Sequence, residues 1–226
     1  MEYHPRKKYI TEAIGTFILV FCGTGAITIN EITGGSVSHI GIAMTFGLAV
    51  LALIYALGDV SGAHLNPAVT VAFWRAKRFN SREVLPYIAS QTVGALLASL
   101  LLRSMFPQNK AIGSTIPTGS LFQSFILEVI LMFILMFVII NVSTGAKEKG
   151  ITAAIAIGSV VGFEAMFAGP ISGASMNPVR SFAPAIVSGQ LDSVWIYLLA
   201  PFVGSLLAIS CCRIVKDSKC CGESCL

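Results

Sequence analysis

Ser61-Gly62-Ala63-His64-Leu65-Asn66-Pro67-Ala68-Val69-Thr70 and Ser172-Gly173-Ala174-Ser175-Met176-Asn177-Pro178-Val179-Arg180-Ser181 are two copies of one pattern, about half a chain apart in an otherwise apolar sequence. Each puts an Asn-Pro pair where a helix should begin. Asn is a favoured N-cap, and Pro suits the first helical turn, where its missing N–H costs nothing. The match extends outward in register. Gly58 and Gly169 precede the two copies at one distance, Gly94 and Gly204 follow at nearly one spacing, and Glu12 and Glu128 each lie early in the first apolar run of a half. The chain is built twice.

Composition fixes the solvent. Of 226 residues, 55% are hydrophobic and 12% charged, and the apolar runs are too long and too many for the core of a soluble domain of this size. Runs of roughly 20 apolar residues, the length that crosses the hydrocarbon core, fall at 9–30, 38–58, 84–103, 120–141, 150–168 and 194–213. The first follows Arg6, Lys7 and Lys8 as a signal peptide would, but it carries Glu12, exceeds a typical h-region and lacks a cleavage site. It is read as a retained helix. Three spans per half is an odd number, so the second half must enter the membrane from the other side. Such inverted repeats commonly place a permeation site near the midplane.

Orientation follows from the basic residues. Arg6, Lys7 and Lys8, then Arg75, Lys77, Arg78 and Arg82, then Lys147 and Lys149, then Arg213, Lys216 and Lys219 all fall on one side if the spans alternate. The opposite side receives Arg103 and Lys110, with Arg180 needing its own explanation. By the positive-inside rule both termini are expected in the cytoplasm. The expected location is the plasma (cell inner) membrane, and the short segment ahead of the first span favours a prokaryotic one. The net charge of +4 reflects this loop bias, and no basic cluster with interleaved aromatics supports nucleic-acid binding.

From Asn66 to Arg78 the chain is apolar and then basic, and from Asn177 to Ser188 it is of similar length, with Gly189 placed as a stop. Such helices cover roughly 15 to 18 Å, about half the hydrocarbon thickness. They reach the middle without crossing. Non-helical backbone leading into them is tolerable only where protein or a water-filled cavity surrounds it. With two half-helices entering from opposite faces, both positive dipole ends point at one place, where a cation is repelled and a neutral oxygen acceptor is welcomed by Asn66 and Asn177. The preceding stretches, Gly58 to Leu65 and Gly169 to Met176, are expected to be loops exposing rows of carbonyls. Glu12 and Glu128 are costly in a membrane, and their least strained use is to accept backbone N–H bonds from these loops. The ring of His64 is expected to brace the first loop while its carbonyl lines the path.

In these residues the sequence resembles the aquaporin family of major intrinsic proteins, whose hallmark is two Asn-Pro-Ala boxes on re-entrant half-helices. The wording around His64 to Thr70 and Gly169 to Pro178 is most similar to the nodulin-26-like channels and their bacterial relatives. The resemblance implies an all-α integral membrane fold of six transmembrane helices plus two re-entrant half-helices. It also implies a homotetramer in the lipid bilayer with one pore per subunit, passive transport of small neutral solutes and no cofactor. The domain expected is a single channel unit of inverted repeats 9–103 and 120–213, followed by a Cys-rich cytoplasmic tail at 214–226. The midplane maps to Asn66, Pro67 and Ala68 with Asn177, Pro178 and Val179, and the outer constriction to Phe46, Ala165, Ala174 and Arg180. Two small residues facing one aromatic and one cation imply a filter wider than water requires, so glycerol or undissociated arsenous, boric or silicic acid joins water as a permeant.

Some markers diverge. Ser181 and Ala185 look water-channel-like, whereas Tyr197-Leu198 looks like the solute-conducting branch. Val179 stands where the second box usually has Ala, and its extra methyl groups either narrow the pore or alter packing between the boxes. Glu164, next to Ala165, is expected to face a loop or a neighbouring subunit, since adjacent helix positions point about 100° apart. His4, His39 and His64 have no metal-ligand spacing. Cys211, Cys212, Cys220, Cys221 and Cys225 crowd the tail, match no standard zinc pattern and are open to palmitate, to a soft metal or metalloid, or to no role. Competing functions are a strictly water-selective aquaporin, an ion channel or ion-coupled transporter, and a membrane enzyme. The ion pathway wants carboxylates or a carbonyl cage where positive dipole ends lie, and the enzyme wants a nucleophile–base pair or metal constellation that the path lacks.

Overall fold

The computed structural model describes residues 4–143 and 151–216, so Cys220, Cys221 and Cys225 lie outside the described residues. In chain order the helices are α1 (Pro5–Ile32), α2 (Ser38–Ser61), α3 (Pro67–Arg75), α4 (Ser81–Met105), α5 (Leu121–Val142), α6 (Ile151–Ser172), α7 (Pro178–Ser188) and α8 (Val194–Lys216). Among them α1, α2, α4, α5, α6 and α8 are long and apolar enough to cross a bilayer. At 1.5 Å per residue the short helices α3 and α7 extend about 14 and about 17 Å. They are half-helices.

The long helices pair by repeated backbone contact. A Cβ on Gly94 would overlap the Ala13 carbonyl, and one on Gly204 would overlap the Val129 carbonyl, so α1 lies directly on α4 and α5 directly on α8. Across the junction of the halves, α2 and α6 approach through Gly47, where a Cβ would fall 2.8 Å from the Gly158 carbonyl. Small residues permit such packing, because lipid supplies no hydrophobic drive between helices. The half-helices fill the space enclosed between the two halves, each touching both α4 and α8.

The loops before the half-helices are shorter than the sequence suggests. α2 runs to Ser61 and α6 to Ser172, leaving only residues 62–66 and 173–177 non-helical. Gly62 and Gly173 stop the helices at φ 84° each, donating to Gly58 and Gly169 carbonyls at 2.9 Å; this left-handed cap is one that glycine adopts without steric cost. α6 continues through Pro170 because the carbonyl that proline leaves without its helical donor, Met166, pairs with His39 Nε2 at 2.6 Å.

Candidate functional site

Both half-helices start in the same way. Asn66 Oδ1 accepts from Ala68 N–H at 2.8 Å and Asn177 Oδ1 from Val179 N–H at 3.2 Å, which caps each helix. The amide nitrogens reach across: Asn66 Nδ2 donates to the Met176 carbonyl and Asn177 Nδ2 to the Leu65 carbonyl, each at 2.8 Å. One donor of each amide is thus committed to the opposite loop. A carboxamide carries two.

The loops repeat one another in backbone geometry. Ala63 and Leu65 have φ of 46° and 51°, and Ala174 and Met176 have φ of 41° and 53°. Left-handed conformations at such residues cost of order 1–3 kcal/mol each and persist only where surroundings over-determine them. The surroundings are two buried glutamates. Glu12 Oε1 accepts from Ser61 Oγ and His64 N–H, and its Oε2 accepts from Leu65 N–H and Gln91 Nε2, all within 2.9 Å. Glu128 Oε1 accepts from Ser172 Oγ and Ser175 N–H, and its Oε2 from Met176 N–H. Tyr87 and Tyr197 close the same frame by donating to the Ser61 and Ser172 carbonyls at 2.9 and 2.6 Å.

His64 sits buried against Phe73, Phe79 and Tyr87. Thr70 Oγ1 spends its proton on the Asn66 carbonyl, so at 3.1 Å it accepts from His64 Nδ1–H. In the second half Ser175 and Ser181 hold the corresponding places. Their hydroxyls are 2.6 Å apart, and Thr115 Oγ1 donates to Ser181 at 2.9 Å.

A cavity of about 170 Å³ runs along both loops, lined by Asn66, Asn177, Phe46, Ala174 and Arg180 and, on the facing wall, by apolar residues such as Val50, Leu135, Ile157 and Val161. Arg180 is buried, donates through Nη1 to the Gly113 carbonyl at 2.9 Å, and holds its guanidinium carbon 5.0 Å from the centre of the Phe46 ring. Ala165 is buried but falls outside this lining. Pro67, Ala68 and Pro178 are buried behind the Asn caps. Val179 also turns from the cavity, packing with Val20, Ala95, Ala98 and Ala183. Its methyl groups therefore alter packing and leave the bore untouched.

Glu164 does not face a neighbouring subunit. It is fully buried within the chain, and neither carboxyl oxygen has a hydrogen-bond partner. The α6 helix wraps it inside the bundle, where the 100° rule alone did not place it. Among the described residues no three His, Cys, Asp or Glu side chains gather as metal ligands. Cys211 is half-buried and Cys212 buried near the end of α8, its thiol 3.8 Å from Asn141 Oδ1.

Sequence reasoning missed Tyr87, Gln91, Thr70, Gly113, Thr115 and Ser175 as parts of the site. Tyr87 was within reach, because it lies seven positions before Gly94 as Tyr197 lies seven before Gly204.

Residues 2–211 match the family model of the major intrinsic proteins. The chain belongs to this family. Aquaporin NIP1-1 of Zea mays is 46% identical over 201 residues, covering 88% of this chain and 71% of that protein. Nodulin-26 of Glycine max is 42% identical over 211 residues, covering 93% and 78%. The solved structure of the aquaglyceroporin from Plasmodium falciparum superposes with a TM-score of 0.84 at 26% identity, covering 94% of this major intrinsic protein and 97% of that chain.

Proposed function

We propose that the protein is a passive transmembrane channel for water and small neutral solutes, namely glycerol and undissociated metalloid hydroxides, that excludes ions and protons. The observation that carries this reading is the pair of Asn-capped half-helices meeting at one cavity, Asn66 and Asn177 cross-bonded to each other's loops. The two helix N-termini present positive potential to that point, with no carboxylate among the lining residues to offset it. A cation loses its hydration shell there and gains no replacement. A hydroxyl-bearing neutral molecule accepts from the free Asn N–H groups and donates to the loop carbonyls, while its carbon skeleton lies against Val50, Leu135, Ile157 and Val161.

Phe46, Ala174 and Arg180 form the selectivity filter, with Ala165 buried in the same apolar cluster as Phe46 and Ala174. Of the five guanidinium N–H donors of Arg180, one is taken by Gly113, and others serve a passing oxygen. Ala174 leaves the width that a polyol needs. Glu12, Glu128 and His64 support the loops, and Asn66, Pro67, Ala68, Asn177, Pro178 and Val179 form the midplane. The single channel domain comprises the repeats 9–103 and 120–213, ahead of a Cys-rich tail at 214–226. The working unit is a homotetramer in the plasma membrane with cytoplasmic termini. This side assignment is supported by Arg78, whose Nη1 lies 3.0 Å from Ser143 Oγ at the end of α5. That contact puts the basic segment after α3 at the same end of the helix bundle as the C-terminal end of α5.

Osmotic light scattering on proteoliposomes tests the proposal. Purified protein should speed the shrinkage caused by an impermeant osmolyte and the re-swelling in glycerol and in arsenous acid, while planar-bilayer recordings show no current. Current without any of these fluxes would overturn the reading, and water flux without either solute flux would replace it by a strictly water-selective channel.

A further inference from the structure

The connector from α4 to α5 is a strap across the filter: Thr115 and Thr118 tie it to the second half, and Asn109 ties it to the first. Asn109 is buried, and all of its polar groups are engaged. Its Nδ2 donates to Glu31 Oε2 at the end of α1 at 2.8 Å, and its carbonyl accepts from Arg103 Nη1 at the end of α4 at 2.7 Å. Its own N–H donates to the Phe106 carbonyl at 3.1 Å. Asn109 Oδ1 accepts from Ile112 N–H at 2.6 Å. That last bond pins a turn which needs pinning, since Ile112 stands at φ 43° and Gly113 at φ 73°, conformations costly to an L side chain such as that of Ile112. The turn presses Gly113 on α1, where a Cβ would lie 2.7 Å from the Thr24 carbonyl. Its far side turns out the Gly113 carbonyl to which Arg180 donates.

We infer that Asn109 is a positioning residue for selectivity: it fixes the Ile112–Gly113 turn between α1 and α4, and through the Gly113 carbonyl it sets where the Arg180 guanidinium stands in the filter. Asn109 does not touch the cavity. It joins the ends of two spanning helices of the first half to a cation carried by the second. Arg103, one of the two basic residues assigned to the outer side, is thereby given a task. The inference rests on the reading of Arg180 as a filter residue.

The test is the glycerol-to-water permeability ratio in proteoliposomes, which is independent of how much protein inserts. Arg180→Ala should raise this ratio severalfold. If it does not, the proposed filter fails before Asn109 is at issue. Asn109→Ala should move the ratio in the same direction, and the double variant should match Arg180→Ala alone, because groups acting through one contact are not additive. Asn109→Asp combined with Glu31→Gln restores an acceptor for Ile112 and a donor–acceptor pair with α1, and should return the ratio to the unmodified value. A ratio unchanged in Asn109→Ala, or a shift that adds to that of Arg180→Ala, would overturn the inference. Should Asn109→Ala not assemble, Glu31→Ala at its exposed position carries the test: a shifted ratio supports the inference and an unshifted one overturns it.

Discussion

Phe46 is held between two neighbours of opposite kind. On one side Gly23 of α1 leaves the room its ring occupies, since a Cβ there would overlap the ring edge; in front lies the Arg180 guanidinium, 5.0 Å from the ring centre. A cation over an aromatic face is attracted by about 0.5–1 kcal/mol at exposed sites and by more when desolvated, so the two side chains fix each other. Gly23→Ala should push the ring toward the cavity that Phe46 and Arg180 line. A methyl-sized intrusion is worth about 1–3 kcal/mol to a fitted solute. The expected outcome is glycerol permeability reduced about tenfold or more with water permeability reduced far less. Stopped-flow re-swelling measures both, and equal loss of the two would show that the ring moved elsewhere.

Helix contacts sort the glycines by what each one does. Gly94 and Gly204 sit where a Cβ would overlap the backbone of α1 and α5, whereas a Cβ on Gly58, inside α2, meets nothing within 4 Å. Gly94→Ala or Gly204→Ala must force a helix pair apart, at a cost of about 1–3 kcal/mol or more. Gly58→Ala should gain up to about 1 kcal/mol from helix propensity. Thermal unfolding in detergent should lower the midpoint for the first two and hold or raise it for the third. The register of Gly94 with Gly204 was legible in the sequence, as were the half-helices, because Asn, Pro and Gly obey local backbone rules that any copy must repeat. The extent of the loops was misjudged, since His39 rescues α6 at Pro170 from a distant helix. The strap from Asn109 to Thr115 was illegible for another reason. It joins the halves and has no copy, so no register points to it, and its contacts with Arg180 and Ser181 cross more than sixty positions. Gln91 was hidden likewise, for Pro201 stands at its place in the second half and Glu128 does without that donor.

At the scale of the molecule, a single chain by itself lines a cavity that extends from Ser143 near the end of α5 to Arg180 in α7. The homotetramer proposed above would then assemble through the outer faces, where Ile40, Leu48, Phe122, Phe167 and Leu199 are among the exposed apolar side chains. Symmetric oligomers are the rule, and a four-fold one also encloses a central space between its protomers. The two possible paths respond differently to a plugged subunit. Ala174 lines the cavity beside Phe46 and Arg180, so Ala174→Trp should fill its own pore without touching an outer face. Mixed assemblies from co-expression with the unmodified chain should lose permeability in proportion to the plugged fraction: with half the chains plugged, about half the flux remains, because each protomer conducts alone. If instead one central path served four protomers and any plugged chain closed it, about one sixteenth would remain under random mixing. Water flux per chain, plotted against the measured composition of the mixture, separates a straight line from a steep fourth-power fall, and the straight line is the outcome expected of a cavity built within one chain.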